Sequence, residues 1–508
     1  MQKENDGLSF FQEIDRFLDE TTEYVHLGIN PGDYYKAIWT RDASYILKDQ
    51  FLTGDTYNVF RALYFVWAHQ IDQDDNQGII YGRGSPELGF SIHHADGKVK
   101  KRFKGALPST IYHNQGFSEV YGRSPDIDST ALMISTTAWI LDVYLKAGLC
   151  SYYESLSEWA SASNPPDSSM SPPESTKPPS SADYNKRQLF GSTRQEWQPP
   201  LPYQQISPSL RIISRPTELI EFVVPRMLGA VHHLASRDID NDGLLEQGYN
   251  EDWMDTALRA GKIVYSQACW ILALSNLSSL LFEIGKDALA RNMAAMAERT
   301  MDAVENNLWS QEHGAYIDHY VVGAGHRDSR NGGDDETFGG KDREEKILTQ
   351  DVLLYLVSMT ENTFNDILSM RFKGNVDDDR KELRQENSRS RIPRESIQPR
   401  ASSTLEAIKQ RIWMDNRWPL VTERELRRTG PWLLDPDQYH NHTFWPWITG
   451  IEMLARSRFG RYQECNELLL GLTRESHGQT LAYYEWVNPK TGRGDGAFPF
   501  RTGISAIR

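Results

Sequence analysis

Long stretches that are apolar on more than one side constrain this chain most. Ser129–Lys146 reads STALMISTTAWILDVYLK and is followed by Gly148, while Tyr265–Ile284 reads YSQACWILALSNLSSLLFEI and stops at Gly285. A surface helix carries one apolar stripe at helical spacing. These segments carry more, which predicts helices buried on two sides. A glycine just past the last turn supplies the left-handed residue that closes a helix. Strand-like alternation is hard to find, so an all-α chain is expected.

The same punctuation recurs at Gly54 (DQFLTGDTYNVFRALYFV), Gly148 (VYLKAGLCSYYESLSEW), Gly285 (LLFEIGKDALARNMAAMA) and Gly460 (RSRFGRYQECNELLLGL). Each copy reads as an apolar helix, a glycine turn and a second, amphipathic helix, the unit of an antiparallel helix pair. Glycine after a helix is common in any all-helical protein, so the repeat alone leaves the architecture open. A chain of 508 residues ordinarily divides into several domains, unless one unit repeats around a single ring. Three segments break the pattern. Residues 161–208 are rich in Ser and Pro, with too few apolar groups to offset the entropy of ordering, and are expected to be disordered. Residues 323–345 read as a polar loop insert, and 373–400 as a charged insert whose acids nearly balance its bases.

Composition removes several function classes. The net charge of −15 argues against nucleic acid and anionic membranes, which require clustered Lys and Arg. Three cysteines (Cys150, Cys269, Cys465) without a CxxC pair suit a reducing compartment. The start is polar, with no apolar leader and no later run long enough to span a membrane, so a cytoplasmic protein is expected. No P-loop, GxGxxG, HExxH or GxSxG motif occurs, and no cofactor or metal is implied. With 14 Trp and 23 Tyr, the chain instead sets carboxylates among aromatic rings. Rings stack on the C–H faces of sugars while acids and amides bind the hydroxyls. An oligosaccharide or small glycoside is the expected partner, bound by a monomer or homodimer.

Four clusters carry that chemistry. In Tyr34-Tyr35-Lys36-Ala37-Ile38-Trp39-Thr40-Arg41-Asp42, Asp42 either caps a helix or joins Arg41 in holding hydroxyls beside the Trp39 platform. Asp238-Ile239-Asp240-Asn241-Asp242-Gly243 imitates a calcium loop, but Tyr249 stands where the closing Glu belongs, so a turn is expected. It feeds Asn250-Glu251-Asp252-Trp253-Met254-Asp255. If that segment is one helical turn, Asp252 and Asp255 share a face. Trp253 and Met254 would desolvate Asp255, as a general acid needs, while Asp252 stays ionised and holds a hydroxyl. A plain helix start with Asn250 as cap is the competing reading. Tyr439-His440-Asn441-His442-Thr443-Phe444-Trp445-Pro446-Trp447 reads as an aromatic, sugar-lining turn, since two His without a third ligand point only weakly to metal. Tyr483-Tyr484-Glu485-Trp486 supplies a second aromatic-flanked carboxylate, the partner a glycosidase acid requires.

At these residues the chain resembles the inverting glycosidases built on an (α/α)6 toroid: glucoamylases, the amylo-α-1,6-glucosidase domains of glycogen debranching enzymes, and the processing-glucosidase and glucosylglycerate-hydrolase group. Trp39-Thr40-Arg41-Asp42 is similar to the first sugar-binding segment of glucoamylases. Asp242-Gly243-Leu244-Leu245 through Trp253-Met254-Asp255, and then Lys262-Ile263-Val264-Tyr265-Ser266-Gln267, resembles the acid-bearing segment of debranching-type members. Glu485 with Asn488-Pro489-Lys490-Thr491-Gly492 is similar to the base segment. The resemblance implies one catalytic domain over residues 1–508, a six-hairpin barrel with an incomplete last helix, since little chain follows the base segment. It implies Asp255 as general acid and Glu485 as general base of an exo-acting α-glucoside hydrolase. Trp39, Arg41, Asp42, Asp252, Trp253, Lys262, Gln267, His442, Trp445, Trp447 and Tyr484 would bind substrate. Two departures stand out: glucoamylases carry a Glu directly after the Trp, whereas Met254 intervenes here, and the family's long closing helix has little room. A glycoside phosphorylase on the same fold and a non-catalytic glycan-binding protein are the competing functions.

Overall fold

The structure is a computed structural model that describes residues 2–71, 79–81, 103–112, 117–120, 124–147, 216–248, 250–257, 259–322, 343–361, 394–415, 418–426, 434–475 and 478–508. Twelve helices occur among them. In chain order these are α1 (Gln2–His26), α2 (Thr40–Leu52), α3 (Thr56–Ala68), α4 (Ile127–Lys146), α5 (Pro216–Ala235), α6 (Val264–Glu283), α7 (Asp287–Asn307), α8 (353–361), α9 (Arg394–Arg411), α10 (Pro446–Arg458), α11 (Tyr462–Thr473) and α12 (Arg501–Ile507).

Even-numbered helices form an inner ring and odd-numbered ones an outer ring. α2 packs on α4, α4 on α6, and α6 on the 3-10 turn Gln350–Val352 that leads into α8. That turn packs on α10, α10 on α12, and α12 returns to α2, closing the circle. The burial patterns follow from this placement. Ile127–Asp142 of α4 and Val264–Leu277 of α6 are buried without a break, because each inner helix touches neighbours on every side. Outer α7 buries one stripe, Ala290, Met293, Ala297, Thr300, Ala303 and Val304, at the helical period. Each large apolar side chain removed from water in this core contributes about 1.5–3 kcal/mol.

The glycine punctuation is the hairpin joint. Gly54, Gly285 and Gly460 adopt φ of 95°, 72° and 75° between α2 and α3, α6 and α7, and α10 and α11. At each, the next residue donates back across the turn: Asp55 N to Gln50 O at 2.9 Å, Lys286 N to Leu281 O at 2.7 Å, Arg461 N to Arg456 O at 2.8 Å. This is one helix-capping motif used three times. Gly148 lies outside the described residues.

Short strands escaped the sequence pattern because two to five residues are too few to show alternation. They form a four-stranded sheet, ordered Ile38–Trp39, Thr110–Tyr112, Phe117–Val120, Ile79–Tyr81, and a three-stranded one, Gly261–Lys262, Asp318–Val322, Arg343–Ile347. The Ser/Pro-rich segment 161–208 lies outside the described residues. Of the polar insert, 343–345 belong to the strand pairing with Asp318–Val322, and the rest lies outside. The charged insert ends earlier than its composition suggests. α9 starts at Arg394 and buries Ala401, Leu405, Ala407 and Ile408, so 394–400 form the first turns of a helix anchored by its apolar second half. α12 has 7 residues and contacts both α2 and α10. No helix among the described residues is long and apolar enough to cross a membrane.

Candidate active site

The inner helices all begin at one end of the ring, and the site is built there. Trp39, Arg41 and Asp42 come from the start of α2, Trp445 and Trp447 from that of α10, Phe500 and Thr502 from that of α12. The loops entering α6 and α12 bring Asp255 and Glu485. All line one cavity of about 540 Å³, within the usual range for a small-molecule pocket. Helix N-termini favour acidic groups, which suits Asp42, Asp128 and Asp351 in the first turns of their helices.

The segment Asn250–Asp255 is a loop, not the helical turn on which the shared face of Asp252 and Asp255 depended. Asn250 has φ 62° and its side-chain amide donates to the Asp255 carbonyl, so the loop curls back on itself. Asp252 therefore points away from the cavity. Its Oδ1 accepts from Met254 N at 2.9 Å, and its Oδ2 from Gln247 at 2.7 Å. Arg259 stands behind it, 1% exposed, 2.6 Å from Asp252, 2.8 Å from Asp351 and 3.5 Å from Asp318. Burial raises the pKa of Asp252, opposed by Arg259. This aspartate shapes the loop and does not line the cavity.

Asp255 faces inward. Its Oδ1 is buried without a hydrogen-bond partner among the described residues. Burial lifts its pKa to about 7, Arg41 opposes the shift, and the Asp252 and Glu485 charges add to it. His440 Nδ1 stands 3.6 Å from that oxygen, too far for a hydrogen bond. It forms no ion pair either, because burial, Arg41 and Arg259 push the imidazole well below its ordinary pKa. Its Nδ1 meets Thr256 Oγ1 at 2.8 Å instead.

Glu485 has a different setting. Its Oε1 accepts from Tyr35 at 2.5 Å and from Tyr439 at 3.3 Å, and its Oε2 from Ala497 N at 2.8 Å. Burial raises its pKa, while the Tyr35 and Ala497 hydrogen bonds hold the carboxylate form. Burial and the Glu485 charge keep the Tyr35 hydroxyl protonated, so it remains a donor.

One wall is aromatic. Trp253 meets His440, Trp445 and Trp447 edge-on at 5.1–5.4 Å, and its Nε1 donates to Asp351 at 2.6 Å. His440 stacks on Trp445 at 4.7 Å. At the start of α2 Arg41 pairs with Asp128 at 3.1 Å and Asp42 at 3.8 Å; burial opposes its charge, but these acids hold it. Asp42 also accepts from Thr502 at 2.6 Å.

Asp252 apart, four predicted substrate contacts are absent from the cavity lining. Lys262 Nζ sits 2.8 Å from Asp240, 2.5 Å from Asp242 and 3.3 Å from Glu246. Its ammonium thereby neutralises the loop that imitates a calcium site. Asp238, Asp240 and Asp242 are the one group with metal-like spacing among the described residues, and Arg299 also takes Asp238 at 3.0 Å. Gln267 is fully buried and clamps both backbone groups of Leu245 at 2.8 Å. His442 bonds the Thr422 carbonyl at 2.9 Å, turned aside by a φ of 64°. Tyr484 packs on Phe498, ring centres 4.8 Å apart. Conversely, Tyr35, Thr256, Tyr439, His440, Trp486 and Thr502 line the cavity without having been singled out as contacts. Tyr35, Tyr439, His440 and Trp486 stood inside the aromatic clusters, which was the available signal.

No protein-family profile matches the chain, and no curated protein does. Solved structures do. The GH63 mannosylglycerate hydrolase from Thermus thermophilus, in complex with Tris and D-glycerate, matches with a TM-score of 0.50 at 13% identity over 98% of both chains. The fold is an (α/α)6 toroid. A bacterial glucoamylase complexed with acarbose covers 93% of this chain and 48% of its own, at 12% identity and a TM-score of 0.43. A rhamnosidase from Klebsiella oxytoca with rhamnose bound covers 93% and 57%, at 9% identity and 0.45. These structural neighbours are glycoside hydrolases, and at 13% identity the likeness to the mannosylglycerate hydrolase speaks for the toroid alone.

Proposed function

We propose that the protein is an inverting, exo-acting glycoside hydrolase for an α-glucoside, with one catalytic domain across the chain. The observation that carries this reading is the unlike setting of two carboxyl groups in one cavity. Asp255, with its pKa near 7 on a side chain that lines the cavity, is suited to protonate the glycosidic oxygen. Glu485 is fixed by three donors and suited to take a proton from water as that water attacks the anomeric carbon. The leaving group departs with the Asp255 proton, and the attacking water ends as the new anomeric hydroxyl. Trp39, Trp253, Trp445 and Trp447 offer stacking faces, and Arg41 and Asp42 hold hydroxyls of the terminal sugar.

A phosphorylase replaces the attacking water with phosphate and needs a cationic pocket. Arg41 is the one cationic side chain among the described lining residues, and Asp128 and Asp42 already neutralise it. Hydrolysis is favoured on that ground. Release of glucose from α-glucosides without added phosphate, followed with the wild type, Asp255→Asn and Glu485→Gln, tests the reading. Each variant is expected to lose about a hundred- to ten-thousand-fold in kcat with folding intact. Near-normal turnover in either would contradict it.

A further inference from the structure

The proposed chemistry accounts for the floor of the cavity and leaves its rim unexplained. Tyr34 lines the cavity yet is 77% exposed, the most exposed large apolar side chain among the described residues. An exposed ring on a loose loop carries little meaning, but this loop is tied down. The Asn30 side-chain amide donates to Gly32 O at 2.8 Å and to Tyr35 O at 3.1 Å, spanning the turn that holds Tyr34. Arg501, fully buried, donates to Tyr24 O at 3.0 Å and Asn30 O at 3.4 Å, and pairs with Asp33. Gly32 bridges Phe500, and a Cβ there would lie 2.5 Å from the Pro499 carbonyl, so the two segments touch backbone to backbone. Beneath Tyr34, the Tyr35 ring packs edge-on at 5.4 Å, with its hydroxyl on Glu485. The ring is thus fixed at the mouth, one residue from the group that holds the candidate base.

We propose that Tyr34 is a stacking platform for the leaving-group side of the substrate, which makes that side an uncharged sugar ring and the substrate an oligosaccharide. This rests on the hydrolase reading and narrows its substrate class. A pre-fixed aromatic face binds the C–H face of a pyranose without an ordering cost. Charge points the same way. Asp42, Asp255, Glu485 and Asp495 line the cavity against the single, already paired Arg41 among the described residues, so an anionic leaving group would be repelled.

The test compares an α-linked glucose disaccharide with α-glucosyl fluoride, whose leaving group offers no ring. Tyr34→Ala is expected to lower kcat/KM for the disaccharide by roughly three- to tenfold, the size of one aromatic contact, and to leave the fluoride unchanged. Tyr34→Phe and Tyr34→Trp should restore the disaccharide rate. An equal loss on both substrates, or no loss on either, overturns the platform while the hydrolase reading stands. Wild-type protein that cleaves neither substrate overturns the hydrolase reading and the platform with it.

Discussion

Behind the loop 250–255 and in front of it lie two acidic regions that differ in how their carboxyls are partnered. Behind, Asp252, Asp318 and Asp351 surround the Arg259 guanidinium in a space closed to water. In front, Asp255 and Glu485 share the cavity, and Arg41 is committed to Asp128 and Asp42. In the rear cluster three carboxyls share one guanidinium. Burial with the Asp351 charge lifts the Asp318 pKa to about 7, but that carboxyl is held by Val264 N and Thr349 and does not line the cavity. In front, burial first, and then the Asp252 and Glu485 charges, keep a proton on Asp255 toward neutral pH against the opposing Arg41. Residues three apart in sequence thus have opposite duties: Asp252 fixes the loop, and Asp255 is left free to exchange a proton.

The largest effect expected from breaking this contrast is on turnover. Asp255→Asn should remove a hundred- to ten-thousand-fold of kcat, and Asp252→Asn should act mainly on stability. If Asp252→Asn abolishes turnover in a fully folded protein while Asp255→Asn does not, the two duties have been exchanged. Second comes the rear cluster. Arg259→Met leaves buried carboxyls without their cation and should cost about 3–5 kcal/mol, read from urea unfolding. A loss below about 1 kcal/mol would mean that water reaches these acids.

A third effect reverses sign with pH. The folded state holds Asp255 protonated up to about pH 7, well above its value in the unfolded chain. That preference is fully present below about pH 4 and is lost as pH rises through 7. Asp255→Asn should therefore be more stable than the wild type at pH 8, by something on the order of 4 kcal/mol, with little difference near pH 4. An equal difference at both pH values would show that Asp255 is not held protonated. The mildest effect is on the activity profile. Turnover should fall as Asp255 loses its proton near pH 7, and rise on the acid side above the ordinary carboxylate range, since burial also lifts Glu485. Asp255→Asn should erase the alkaline limb from its residual rate.

The sequence carried the ring further than the site. Helices Ile127–Lys146 and Val264–Glu283 were legible because burial on all sides leaves long apolar runs, and Gly54, Gly285 and Gly460 marked the joints because only a left-handed residue turns the chain there. Helix 353–361 was not read, and α9 was partly assigned to an insert, since neither has a charge-free run of comparable length. In the site, Asp255 and Glu485 stood out through their aromatic neighbours. Their partners did not, because Tyr35 and Glu485 are 450 positions apart and nothing local links them. Lys262 and Gln267 were misplaced for the same reason. The acids that hold the first and the backbone the second meets lie about twenty positions earlier, across a fold that local patterns do not encode.

The most direct test of the central claim uses leaving groups. Fluoride departs without a proton, whereas a sugar alcohol needs one. If Asp255 is the acid and Glu485 the base, Asp255→Asn should keep hydrolysing α-glucosyl fluoride within about tenfold of the wild type while losing the disaccharide, and Glu485→Gln should lose both. Equal losses on both substrates for Asp255→Asn, or fluoride hydrolysis that survives in Glu485→Gln, would contradict the assignment.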